Sequence, residues 1–304
     1  AYWNGPAGLF SDSKAVYISN CLFAANSSLS PGGGILIGFK GRPPLTLVDS
    51  VIVSNIAYGT SGGGNGNGGG IYASGPVDMQ NCAVAFNISS NDGAGLYLSL
   101  TNGHVGRIVN STFSDNATVA QGGRYGGGIY LGRTGATPGP SYEIYNCTVV
   151  SNFSYNNGAG IQQAAGTLLM YSTIVAGNRM TIGTIDDLNA TGVGAVCSNC
   201  IIGNNTGAGA PVPAGLPNVY GTYAGTAADP LDPMLLPATN NGGGTLTCAI
   251  AVTNSLAYGN GTNILNLLWD QRGDTYDRVR GGRCDIGAYE YGAPDRSGTR
   301  IILR

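Results

Sequence analysis

Charge is scarce in this chain. Among 304 residues Lys occurs twice (Lys14, Lys40), Glu twice (Glu143, Glu290) and His once (His104), and charged residues total 10%. The formal net charge of −2 leaves no electrostatic footprint for nucleic acid or an anionic membrane. No run of eighteen apolar residues occurs, so no membrane span is read. A lone histidine excludes a multi-histidine metal site, and no cysteine pair has zinc-finger spacing around a partner motif. Blocks of Leu, Lys, Glu and Gln that build ankyrin or tetratricopeptide helices are missing too. No signal peptide is visible, yet the chain opens on Ala1 without an initiator Met, which is expected of a processed, secreted protein.

Glycine is abundant, 52 residues, and it recurs in a pattern. One phrase reads Asn20-Cys-Leu-Phe-Ala-Ala-Asn26, Asp49-Ser-Val-Ile-Val-Ser-Asn55, Asn81-Cys-Ala-Val-Ala-Phe-Asn87, Asn110-Ser-Thr-Phe-Ser-Asp-Asn116 and Asn146-Cys-Thr-Val-Val-Ser-Asn152. Looser copies follow at Tyr171 to Asn178 and Asn199 to Asn204. A second phrase sits between copies: Gly32-Gly-Gly-Ile-Leu36, Gly68-Gly-Gly-Ile-Tyr72, Gly93-Ala-Gly-Leu-Tyr97, Gly126-Gly-Gly-Ile-Tyr130 and Gly158-Ala-Gly-Ile-Gln162. Two short strand-like motifs alternating every 25 to 36 residues mark a solenoid. Gly and Asn at the ends of each run tolerate the positive φ of sharp corners, and strands would stack about 4.8 Å apart. The reading is an all-β chain: a right-handed parallel β-helix over 1–205, with irregular final rungs and a C-terminal capping region over 206–304, in one continuous body.

Alternation assigns the faces. Cys21, Ser50, Cys82, Ser111, Cys147 and Ser172 point inward, as do Phe23, Ile52, Val84, Phe113, Val149 and Ile174 two residues on. The outward positions (Leu22, Val51, Ala83, Thr112, Thr148 and Thr173, then Ala24, Val53, Ala85, Ser114, Val150 and Val175) make a flat, uncharged face. It is read as an ordinary flank or, more sharply, as a contact surface.

Stacked cysteines then lie two rungs apart, roughly 9.6 Å, beyond disulfide reach. Cys21, Cys82 and Cys147 are read as free, buried thiols. Cys197, Cys200, Cys248 and Cys284 lie in or after the last irregular repeat, and Cys248 with Cys284 is the first expected disulfide. Cys197-Ser-Asn-Cys200 has redox-motif spacing without a thioredoxin-like βαβ context.

The tail carries Asp229-Pro-Leu-Asp-Pro-Met-Leu, Asn241-Gly-Gly-Gly-Thr-Leu-Thr, Asp270-Gln-Arg-Gly and Gly282-Arg-Cys-Asp-Ile-Gly-Ala-Tyr-Glu290, in that order. This resembles the ending of bacterial "choice-of-anchor Q" right-handed β-helix proteins of the wider pectate-lyase-like superfamily. The upstream phrases resemble repeats of chlamydial polymorphic outer-membrane proteins. The resemblance implies export and surface display, usually without a known catalytic activity. Arg272-Gly-Asp274 spells an integrin-type tripeptide, but it overlaps the tail motif.

Enzymes of the pectate-lyase-like kind need clustered carboxylates, calcium or a positioned base. Asp186-Asp187 is the only adjacent acidic pair and lacks the motifs of pectin-degrading hydrolases; His104 is followed by Val105. Calcium at the Asp270–Asp277 loop fits no EF-hand spacing, and salt bridges are the reading there. No catalytic residue, cofactor or metal ligand is therefore assigned. Nine Asn-x-Ser/Thr sequons occur, but Asn26, Asn87, Asn116, Asn152 and Asn204 end the repeated phrase and are read as a stacked amide row. Asn189 and Asn260 are the glycosylation candidates. Exposed strand edges at the two ends suggest self-association, with Tyr2, Trp3, Ile301, Ile302 and Leu303 as contacts. The expected function is a secreted, non-catalytic structural or surface-adhesive protein, partnering itself head to tail in filaments or a surface layer. The alternative is a β-helix that binds or degrades polysaccharide.

Overall fold

The computed structural model describes residues 8–292, apart from 39–40, 60–65, 102, 120–123, 134–138, 182, 192–194, 208–211 and 213–216. One coil shows the plan: short strands at Ile71–Ala73, Val77–Gln80, Ala83–Ala85 and Ile88–Ser89, separated by corners. Each strand pairs in parallel with its equivalents one coil before and after, as Val84 does with Ile52 and Phe113. Four parallel sheets of seven, seven, eight and six strands result. The chain is a parallel β-helix. The described residues contain no helix, and so none long and apolar enough to cross a membrane.

The interior is filled by rows of like side chains one rung apart. Ile35, Ile71, Leu96, Ile129, Ile161 and Leu188 stack under the first sheet, and Leu47, Met79, Ile108, Ile144 and Met170 under the second, all buried. Each such side chain contributes about 1.5–3 kcal/mol on leaving water. In the third sheet the small inward row runs Cys21, Ser50, Cys82, Ser111, Cys147, Thr173, Cys200. Here the structure corrects the sequence reading by one residue: Thr148 pairs with Ile174, so Thr173 and Val175 point inward and Ser172 and Ile174 do not. The loop before that rung is shorter, and the phrase there lacks the Asn that marks its start elsewhere. Cys21 is also exposed rather than buried, since it lies on the first rung of its sheet.

Thiols and hydroxyls alternate in this row with a hydrogen-bonding consequence. The N–H groups of Cys21, Cys82, Cys147 and Cys200 donate to Ser50 Oγ, Ser111 Oγ, Thr173 Oγ1 and Thr222 Oγ1 of the next rung at 3.0–3.3 Å. The corner residue before each of these positions, from Asn20 to Asn199, is left-handed with φ between 46° and 54°, which Asn and Asp tolerate best.

At the phrase-ending corner the sequence-read amide row is present from Asn26 to Asn152, while Asn204, read as its last member, stands across Asp187 from it and gives its Nδ2 to Ile185 O. Asn26, Asn55, Asn87, Asn116 and Asn152 each send their backbone N–H and Nδ2 to Oδ1 of the next asparagine, ending at Asn178. From Asn55 on, the second Nδ2 proton goes to a backbone carbonyl of the preceding rung, such as Phe23 or Val84. From Asn55 to Asn152 every amide proton and both oxygen lone pairs are thereby used inside a buried corner. The ladder closes on Asp187, whose Oδ1 accepts from Asn178 N and Nδ2 while Oδ2 accepts from Asn204 N. Carboxylate, not amide, suits this end because donors approach from both sides.

The glycine phrase makes room for that ladder. A Cβ on Gly128 would lie 2.6 Å from the Gly160 carbonyl oxygen and 3.0 Å from Asn152 Nδ2. Gly70 and Gly95 meet Asn87 and Asn116 in the same way. The two repeated phrases are thus opposite sides of one contact.

Beyond the last rungs the chain turns back and lies along the outer face of the third sheet. Gln271 Nε2 donates to Cys82 O at 3.1 Å, and Thr112 Oγ1 donates to Gln271 Oε1 at 2.5 Å. Thr148 Oγ1 accepts from Ala288 N, and Ser172 O from Gly287 N. A Cβ at Gly287 would sit 2.8 Å from Ile174 Cδ1, which explains glycine in the Asp-Ile-Gly-Ala motif. Outward-facing Val150, Ile174 and Ile201 join Cys248, Ile250, Ala257 and Ile286 in a second core. The flat flank is therefore a contact surface for the chain's own tail, whereas Leu22 on the first rung remains exposed. The tail is locked by Arg272, which pairs with Asp270 at 2.5 Å, donates to Glu290 O, and lies between the Tyr276 and Tyr289 rings. Arg272 is buried, so the Arg-Gly-Asp tripeptide is not displayed.

Two substitutions test the ladder. Gly128→Ala is expected to lose about 2 kcal/mol or more, since the clash is with backbone rather than with a flexible tip. Asp187→Asn, nearly isosteric, is expected to cost about 1–3 kcal/mol by setting an N–H against Asn204 N–H. Chemical denaturation of each beside wild type reads both; a Gly128→Ala midpoint equal to wild type would refute the contact.

Candidate functional site

The first sheet carries a second periodic row, this one facing outward. In register along it stand Phe10, Leu36, Tyr72, Tyr97, Tyr130, Gln162 and Asn189. The Tyr72 and Tyr97 rings stack at 5.1 Å between centroids and 5° between planes, and Tyr97 and Tyr130 at 4.9 Å and 2°. Burial pushes the Tyr97 phenol up, and the neighbouring Tyr130 and Tyr72 reinforce it, so the row is neutral. The fold creates this row simply by placing the residue after each Gly-Gly-Gly-Ile or Gly-Ala-Gly-Leu on the outer face. The tyrosines are visible in the sequence phrases; their shared face follows only from the register.

After Tyr130 the aromatic row stops and amides take over. Tyr130, Gln162, Asn189, Tyr125, Asn157 and Thr191 line a cleft of about 250 Å³. It adjoins a second lobe of about 290 Å³ that shares Asn157 and Asn189 and adds Asp186, Asn204 and Thr206. Gln162 is 4% exposed; its Nε2 reaches Asn189 Oδ1 at 3.3 Å and Thr191 Oγ1 at 3.4 Å. Its Oε1 is buried without a hydrogen-bond partner among the described residues. Among the described residues no lysine or arginine lines either lobe.

The sequence-assigned residues fall elsewhere or into structural roles. Asp187 ends the asparagine ladder, and Asp186 Oδ2 accepts the Gly158 N–H at 2.7 Å. His104 Nδ1 lies 2.8 Å from Thr101 Oγ1 in a turn. Asp270 is turned inward onto Arg272, the ion pairing read for that loop. Cys248 and Cys284 are separate buried thiols rather than a disulfide, and Cys284 Sγ accepts from Arg278 Nε at 3.2 Å. Asn189 lies in the cleft, mostly buried, at odds with a glycan on it; Asn260 is exposed. Tyr2, Trp3, Ile301, Ile302 and Leu303 lie outside the described residues.

Comparison with family models, curated proteins and solved structures gives no match for this chain. What is established is the parallel β-helix itself.

Several carboxyls are held above their usual range. Burial raises Asp92 to about 6 against the opposing Tyr125 N–H and Arg124 charge, and raises Asp187 to about 7 against the N–H donors of Asn178 and Asn204. Burial also raises Glu290 to about 8, outweighing Arg278. A proton on Asp187 would set an O–H against the N–H donors of the ladder, whereas Asp92 and Glu290 keep theirs in the folded chain at pH values where the unfolded chain, near 4, has lost them. Their contribution to stability is complete below that unfolded value and is lost as pH rises through 6 to 8. Thermal unfolding is therefore expected at higher temperature at pH 5 than at pH 8.5. Glu290→Gln should flatten the upper part of that slope; an unchanged slope would contradict the assignment. Burial likewise pushes the Cys82, Cys147 and Cys248 thiols up to about 12. A thiol-reactive chromophore is expected to label Cys21 promptly and the six buried cysteines only after denaturation.

Proposed function

We propose that this chain is a non-catalytic, exported β-helix that serves as a rigid structural or surface-adhesive rod, with the outer face of its first sheet as the binding face. The observation that carries this reading is the neutral tyrosine row running into an amide-lined cleft. Stacked rings and amides held on a parallel sheet are preorganised, so little side-chain entropy is lost when a ligand lies along them. The carboxylates that catalysis would draw on are engaged in structure instead: Asp187 in the ladder, Asp270 on Arg272, Asp285 on the N–H groups of Gly259 and Tyr291. The tail's likeness to choice-of-anchor Q β-helix proteins supports export and display. Gln271, Gly287 and Ala288 from those motifs clasp the flank, and Asp270 holds the tail's own loop on Arg272.

Incubation of the full chain with insoluble polysaccharides tests both halves of the reading. The expected outcome is co-sedimentation with at least one polymer and no release of reducing ends or unsaturated uronides. Product release would overturn the non-catalytic assignment. Protein left in the supernatant with every polymer, and monodisperse by light scattering at high concentration, would overturn the adhesive and structural one.

A further inference from the structure

We infer that the cleft at the end of the tyrosine row is a binding site for a neutral saccharide unit, a specification that rests on the adhesive reading above. The first argument is the state of Gln162. A side chain 4% exposed, with a buried oxygen that has no partner among the described residues, costs about 1–3 kcal/mol unless something donates to it. Its nitrogen is held only by contacts of 3.3 and 3.4 Å, at the long end for N–H bonds. With both Nε2 protons given to Asn189 and Thr191, Oε1 is the atom left to accept an O–H from a ligand. Asn189 and Asn157 add further amide groups to the cleft walls.

The second argument is the aromatic edge. Tyr97 covers one face of Tyr130, while the next rung carries Gln162 in place of a ring. Tyr125 lines the same lobe. Apolar ring surface beside amide donors and acceptors matches a pyranose, which has C–H faces and a hydroxyl rim.

The third argument is charge. Among the described residues no cation lines either lobe, and Asp186 stands in the second with its Oδ2 taken by Gly158 N–H. A uronate, sulfate or phosphate finds no counter-charge there and meets a carboxylate. Each lobe, at about 250 and 290 Å³, approaches the few-hundred-Å³ scale of small-ligand sites.

The test is calorimetric titration of the full chain with neutral oligosaccharides (cello-, xylo-, manno- and malto-series) and with oligogalacturonate. The variants are Gln162→Leu, Tyr130→Ala and, as control, Tyr171→Ala, which breaks the Tyr145–Tyr171 stack on the second sheet. We expect a neutral series to bind, at least tenfold weaker binding in Gln162→Leu and Tyr130→Ala, and unchanged binding in the control. Gln162→Leu should also keep or raise the unfolding temperature, because it removes a partnerless buried oxygen; a residue kept for structure would lower it. Binding of oligogalacturonate alone, or neutral binding untouched by Gln162→Leu, overturns the inference while leaving the adhesive reading in place. Absence of any saccharide binding overturns the inference, and overturns the structural and adhesive reading as well when the chain neither co-sediments nor self-associates at high concentration.

Discussion

A buried asparagine amide has two N–H donors and an oxygen with two lone pairs, and leaving any of them bare in a dry corner costs more than a surface residue returns. The ladder from Asn26 to Asn178 solves this by making each amide the acceptor for its predecessor. The solution works only if every rung has the same height and register, since an amide displaced by one residue would face the wrong side of the strand. The ladder therefore imposes periodicity on the third and fourth sheets. Through the close approach of Gly34, Gly70, Gly95, Gly128 and Gly160 to its amides it imposes periodicity on the first sheet as well. Asp187 can end the row because a carboxylate accepts on both oxygens.

With the coil so fixed, its outer surfaces acquire distinct characters from single positions repeated once per rung. On the third sheet the position is small or β-branched, which makes a flat face that the tail covers. The packing there is polar at Thr112 and Thr148 and apolar at Val150 and Ile174. The tail itself has little regular structure. It is held by the Asp270–Arg272 pair between two tyrosine rings and by Arg278, a fully buried guanidinium that donates to Asp285 O and Cys284 Sγ. Such buried charge specifies one arrangement of loops at the expense of desolvation.

On the first sheet the repeated outward position is aromatic for three rungs and then amide. The physical effect is a neutral, ordered surface that changes from stacking to hydrogen bonding within one rung. Surfaces of this type suit ligands with alternating apolar and hydroxylated patches, and their rigidity comes from the parallel sheet rather than from the side chains.

What the sequence by itself determined is the coil. Periodic Asn, Gly and β-branched residues dictate strand, corner and inward stack, and the amide row at Asn55, Asn87, Asn116 and Asn152 is legible because each amide needs a partner at the same position one repeat later. The sequence placed the rung at Ser172 one residue out of register, since that phrase lacks its initial Asn and β-branched residues flank both choices. Only the tertiary structure decided what lies against the flank, because contacts such as Gln271 with Cys82 join residues 189 apart and leave no local pattern. The cleft was hidden for a related reason. Tyr130, Gln162 and Asn189 are neighbours solely through rung-to-rung register, and the open hydrogen-bonding capacity of Gln162 is a property of its surroundings, not of its residue type.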